Sequence, residues 1–198
     1  MKQSVRALVV ALALALPALA AAETWVIDPP HTVSGFIVRH MMITNVNGAF
    51  ELTTGTIEYK PGDPSSVKAD ISIETKTINT RNTRRDDDLR SDNFLNTAKF
   101  PAITFKSKRV QNVRPAGFDL VGDLTIRDVT KEVVLTVEGP TPPIRDPRGA
   151  RRVGANASLT ISRKDFNVNW NRAIEAGGVV VSDEVKINIE IQAVEKKG

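Results

Sequence analysis

His31 and His40 are the only histidines in the chain, and it has no cysteine. Thiol catalysis, disulfides and zinc sites of the cysteine type are therefore excluded. Two imidazoles without carboxylates at a matching spacing make a poor metal site. The residue chemistry favours a turn-stabilising His31 and a His40 hydrogen-bonded inside the fold. Asp86, Asp87 and Asp88 lack the spaced oxygens and the glycine of an EF-hand loop. They read as negative charge near a helix N-terminus, opposite Arg84, Arg85 and Arg90, on a solvated face. Ser34, Ser91 and Ser162 stand in no G-x-S-x-G elbow, and no Ser–His–Asp arrangement is signalled. Arg145, Arg148, Arg151 and Arg152 make one loop basic. Without interleaved aromatics it is no platform for stacking bases, and it reads as a solubilising loop.

The remaining candidates are apolar. Phe36, Met41, Met42, Phe94, Phe105, Phe118, Phe166 and Trp170 are large enough to line a cavity or to fill a core. The Met41-Met42 pair is notable because flexible thioethers adapt to a flexible ligand.

The start of the chain reads as an export signal. Lys2 and Arg6 supply the charge, Val5–Leu16 the apolar run, and Ala20-Ala21-Ala22 a small-residue cleavage site before Glu23. The run is too short for a membrane anchor. The 198 residues less these 22 leave 176, enough for one domain at 23–198 with a sizeable core. Losing Lys2 and Arg6 lowers the formal charge from +4 by two, to +2, which is not a nucleic-acid balance. An exported chain without disulfides suits a bacterial periplasm.

Alternation of period two dominates this domain. Val67, Ala69, Ile71 and Ile73 oppose Lys68, Asp70, Ser72 and Glu74, as in a half-buried antiparallel strand. The same pattern marks Trp25–Ile27 with His31–His40, Phe50–Tyr59, Ala102–Val110, Phe118–Ile126, Lys131–Glu138, Val153–Ile161 and Glu184–Val194. A turn is expected at Asn45–Gly48, and a long surface loop at Gly139–Gly149. About eight strands with short connections exclude a doubly wound fold and favour an antiparallel barrel or sandwich. Ala155, Ala157 and Gly122 would leave room inside it. In Asp86–Phe105 the period changes: Leu89, Phe94 and Leu95 approach helical spacing until Pro101. A short helix there, with an earlier turn starting at Asn82 or Thr83, would cover one end of the sheet with its apolar residues inward.

Four segments together resemble the YceI-like family of lipid-binding proteins. They are IDPPHTVSGFIVRHMM with NVNGAF, DLRSDNFLNTAKFPAITFKS, GDLTIRDVTKEVVLTV, and RKDFNVNWNRAIEAGGVVVSDEVKINIEI. The resemblance implies an all-β, eight-stranded antiparallel, lipocalin-like barrel, with a helix at Asp86–Asn96. It also implies an elongated apolar cavity that holds a polyisoprenoid, such as a quinone tail, or another long-chain lipid. Where relatives often carry a glycine-rich loop before the tryptophan, this chain has Asn167-Val168-Asn169.

On that footing the candidate ligand-binding residues are His31, Phe36, Val38, His40, Met41, Met42, Leu89, Phe94, Phe105, Phe118, Phe166 and Trp170. The implied function is a non-enzymatic periplasmic carrier. It would need no metal or cofactor beyond its bound lipid, and no nucleic acid, with a homodimer left open. The alternative is an enzyme or accessory factor acting on a bound isoprenoid or fatty amide, with His40 or Asp165 involved. A filled barrel used for protein–protein interaction is the third reading.

Overall fold

Alternation along the chain becomes strands in the computed structural model, which describes residues 22–175 and 177–197. All of the expected export signal except Ala22 lies outside the described residues. The first strands are β1 (Glu23–Ile27), β2 (Val33–His40), β3 (Thr44–Phe50), β4 (Thr53–Lys60), β5 (Asp63–Glu74) and β6 (Ile78–Asn79). One helix, α1 (Thr83–Arg90), follows. Then come β7 (Ala102–Arg114), β8 (Gly117–Ile126), β9 (Val129–Glu138), β10 (Ile144–Arg145), β11 (Arg151–Ser162) and β12 (Val181–Glu195). The chain also makes 3-10 turns at Pro29–His31, Thr75–Thr77 and Arg163–Phe166.

Antiparallel pairing runs β11-β9-β8-β7-β5-β4-β1-β12, and β12 pairs back onto β11. Eight strands thus close a barrel, which removes free edges from most of the wall. Three wall strands are broken and continue beyond the ring. β2 prolongs β1 along β12, from Glu190↔Val33 to Val181↔His40, with a register shift between Val185 and Val181. β3 prolongs β4 along β2, and β6 prolongs β5 but meets β3 only at Ala49↔Asn79 and Phe50↔Ile78. Among the described residues, the outer edge of Thr44–Gly48 has no strand partner. The barrel is therefore closed at its base and split at its top, between β3 and β7.

Helix α1 occupies that split. Eight residues are too few for an isolated helix, so side chains must hold it. Asn82 caps it, its Oδ1 accepting from Arg85 N at 3.0 Å. Arg90 Nη2 donates to Ile78 O (2.7 Å) and its Nε to Lys76 O (2.9 Å). Asp86 is buried rather than solvated, and accepts from Thr80 N at 2.9 Å. The helix starts at the earlier of the expected positions and stops at Arg90. Ser91 adopts an extended backbone (φ −69°, ψ 175°) and its hydroxyl donates to Asp88 O, ending the helix well before Pro101.

The β2–β3 turn also falls elsewhere than expected. It lies at Met41–Ile43, while Asn45–Gly48 belongs to β3. Met41 and Met42 take left-handed backbone (φ 48° and 62°), and Ile43 N donates to His40 O at 3.1 Å.

The interior is packed unevenly. Ile71, Ile103, Phe105, Phe118, Leu120, Leu124, Leu135 and Val137, from β5 to β9, are buried. The inward rows of β2, β11 and β12 are only half-buried, Phe36, Val38, Ala155, Ala157, Ile187 and Ile189 among them. A residue that points into a closed barrel and keeps accessible surface faces a void.

Candidate functional site

That void is an elongated cavity of about 400 Å³, within the range of ligand pockets. One wall is the half-buried row of β11 and β12, with Ala155, Ala157, Leu159, Ile187, Ile189 and Ile191. The opposite wall carries Ile71, Ile103, Phe105, Leu120, Leu124 and Leu135. Ala155 and Ala157 border the cavity, as their size suggests. Gly122 does not. Its missing Cβ is replaced by the Phe105 ring, since a Cβ there would lie 2.5 Å from Phe105 Cζ. The glycine seats an aromatic and makes no room for a ligand.

At the base the cavity ends against Trp25, Tyr59, Phe118, Val137, Val153 and Ala193. Two residues further along the faces that carry Trp25, Val153 and Ala193 come Glu23, Arg151 and Glu195. Arg151 Nη1 donates to Glu23 Oε1 (2.9 Å) and Glu195 Oε1 (2.6 Å), and the guanidinium lies 5.3 Å from the Trp25 ring centre. Arg152 donates through Nε to Asp146 (2.7 Å) and also bonds Asp28, which His31 and Gln192 approach at 2.9 Å each. Burial by itself raises the Asp28 pKa, but hydrogen bonds from Arg152, His31 and Gln192 outweigh it and hold the carboxyl below its ordinary value. The hydrogen bond from Arg152 is the chief cause of the lowered Asp146 pKa. Two of the four arginines read as a solubilising loop thus lock the base of the barrel in ion pairs.

At the top, Leu89 of α1, with Phe94 and Leu95 after it, lines the cavity, and Phe94 meets the loop between β11 and β12. The Phe94 and Trp170 rings lie 5.2 Å apart and tilted by 45°. Arg163 anchors that loop from inside. Its Nη1 donates to Val168 O (2.6 Å) and Trp170 O (2.8 Å), and its Nε to Ser182 O (3.0 Å). Burial lowers its pKa, and the charge of Asp183 only partly opposes this. The polar groups at this end of the cavity are Arg39, His40, Arg85, Asp88 and Arg163. Among the described residues the His40 ring has no hydrogen-bond partner, contrary to expectation.

Of the twelve residues singled out from the sequence, nine line the cavity: Phe36, Val38, His40, Leu89, Phe94, Phe105, Phe118, Phe166 and Trp170. Three lie elsewhere. His31 sits on the surface, its Nδ1 2.9 Å from Asp28 Oδ2, and stabilises the turn before β2. Met41 and Met42 stand outside the cavity, 41% and 48% exposed, because the left-handed turn ends the inward alternation at His40. Asp165 is exposed and 3.8 Å from Lys131, so it does not join His40 at the cavity. The aliphatic rows of β11 and β12 were absent from the set, although their alternation is plain in the sequence.

Comparison with known proteins agrees with this architecture. The model of the YceI-like domain matches residues 25–193. UPF0312 protein SA2479 of Staphylococcus aureus is 34% identical over 159 residues, covering 80% of this chain and 90% of the relative. Among solved structures, the Campylobacter jejuni YceI protein is similar with a TM-score of 0.69 and 30% identity, over 80% of this chain and 90% of that one. BcnA of Burkholderia cenocepacia shares the fold at 18% identity and a TM-score of 0.71, over 84% of this chain and 98% of that one. A polyisoprenoid binding domain from Saccharophagus degradans shares it at 15% identity and a TM-score of 0.62, over 87% of this chain and 98% of that one. With a family model matching nearly the whole barrel, and a relative more than 30% identical along most of it, the chain belongs to the YceI-like family.

Proposed function

We propose that this protein carries or sequesters a long-chain lipid, a polyisoprenoid such as a quinone tail, and does so in the periplasm after export. The observation that carries the reading is the continuous apolar cavity along the β2–β12–β11 wall. Each methylene moved from water into such a space contributes about 0.8 kcal/mol. A five-carbon prenyl unit therefore contributes up to about 4 kcal/mol before the cost of ordering the chain. Binding of this kind requires no catalyst. His40, Arg85 and Asp88 offer polar partners to a headgroup at the split end, while the tail lies along Ile187, Ile189 and Ala157 towards Trp25. The description of the Saccharophagus domain as polyisoprenoid binding supports the same ligand class.

The test is a titration of lipid-stripped protein with prenyl quinones of increasing tail length, read by quenching of Trp25 and Trp170. Affinity should rise by about tenfold for every two added methylenes until the cavity is full. Affinity independent of tail length would overturn the reading.

A further inference from the structure

The two methionines that the fold expels from the cavity form a surface with Ile43. This last residue is 74% exposed, more than any other large hydrophobic side chain of the described residues. The apolar tip is held rigidly. Met41 N donates to Val180 O at 2.8 Å, and Val180 N to Arg172 O at 2.9 Å. Gly178, with φ +99°, brings its backbone against the Met42 side chain and the neighbouring Ile174. Met41 and Met42 take the left-handed backbone that a tight turn between twisted strands uses, and it leaves both side chains outside the cavity. The tip is also continuous with the cavity mouth, because Arg39, His40 and Val180, its immediate neighbours, line that end of the cavity. From Val33 to Phe50 the chain has no acidic residue and one arginine, Arg39. In the adjoining loop, exposed Arg172 is balanced by Glu175.

We infer that the Met41-Met42-Ile43 tip docks on a lipid bilayer, so that the cavity end lined by Arg39, His40 and Val180 faces the membrane from which the ligand is drawn. This rests on the carrier reading, since a ligand too apolar to cross water must be collected at a membrane. A bilayer fits the patch better than a second copy of the chain. A stable dimer buries at least about 1,000 Å², far beyond three residues at a hairpin tip. Insertion of two or three apolar side chains, with Arg39 at the headgroups, suffices for reversible membrane contact.

The test is flotation of the purified, lipid-stripped protein with vesicles of phosphatidylglycerol and phosphatidylethanolamine, alongside vesicles of phosphatidylcholine. The variants are Met42→Ser with Ile43→Ser, and separately Arg39→Gln. The protein should float with the anionic vesicles, the double variant should bind at least about tenfold less, and Arg39→Gln should lose part of the binding and its salt dependence. Prenyl-quinone affinity in vesicle-free buffer, measured in parallel, should be unchanged in the double variant. Failure to float with quinone uptake intact would overturn docking alone. Failure of uptake in the unaltered protein would overturn the carrier reading. Loss of quinone affinity in the double variant would place the tip in the binding site, and loss of a dimer on the same substitutions would assign it to a second copy; either overturns the proposal.

Discussion

Replacing Ala157 by phenylalanine separates a ligand cavity from a filled core. Ala157 points inward from β11, between Val137 of β9 and Ile189 of β12, and is only half-buried because it faces the void. A phenyl ring added there enters a space of about 400 Å³ that Ala157 lines. In a packed core the same insertion costs about 1–3 kcal/mol through displaced side chains and backbone. Here the protein should lose less than about 1 kcal/mol in urea unfolding, because the ring gains apolar contact. Ligand binding should suffer instead. A ring that displaces three tail carbons removes about 2.4 kcal/mol of transfer free energy, roughly a sixtyfold rise in Kd for a prenyl quinone. Urea titration and tryptophan quenching on the same samples give both numbers. Destabilisation by more than about 2 kcal/mol with unchanged affinity would show that Ala157 faces packed side chains, and the cavity argument would fail.

The opposite wall should respond in the opposite way. Gly122→Ala drives a methyl into the Phe105 ring, and should cost about 1–3 kcal/mol of stability in urea with at most a small change in quinone affinity. Arg163→Met leaves the carbonyls of Val168, Trp170 and Ser182 without their donor. It should destabilise by about 3 kcal/mol, with faster hydrogen exchange concentrated in residues 163–182. The base is pH-sensitive with a definite sign. Asp28 and Asp146 have lowered pKa values when folded, so their contribution is full above the unfolded carboxylate range and lost as pH falls through the folded values. Melting temperatures should thus separate wild type from Arg152→Ala at neutral pH, and the gap should close as pH falls below the ordinary carboxylate range. A gap independent of pH would mean that Arg152 acts through packing.

Much of the barrel was legible because a half-buried strand writes its two environments alternately along the chain. The rows of β5, β8, β11 and β12 are examples. Turns were less legible. Asn45-Val46-Asn47-Gly48 has turn chemistry, yet register with β2 keeps it in β3 and forces Met41 and Met42 into left-handed backbone. That choice follows from tertiary pairing and leaves no local mark. It also explains why Met41 and Met42, the most attractive ligand contacts by residue type, lie outside the cavity. Leu89, Phe94 and Leu95 point inward and line the cavity, although the helix ends between Leu89 and Phe94. Their apolar character, not an unbroken helical period, placed them there. Arg151 and Arg152 also pair with Glu23 and Asp28, each more than a hundred positions away. Only closure of the barrel brings them together.

The central claim is that the cavity holds a long-chain lipid, and it is tested most directly by organic extraction of the purified protein followed by mass spectrometry. The account predicts a prenyl or other long-chain lipid at close to one molecule per chain, reduced in Ala157→Phe. Protein that carries no lipid from its own membranes, and after stripping takes up neither quinones nor fatty amides, would contradict it.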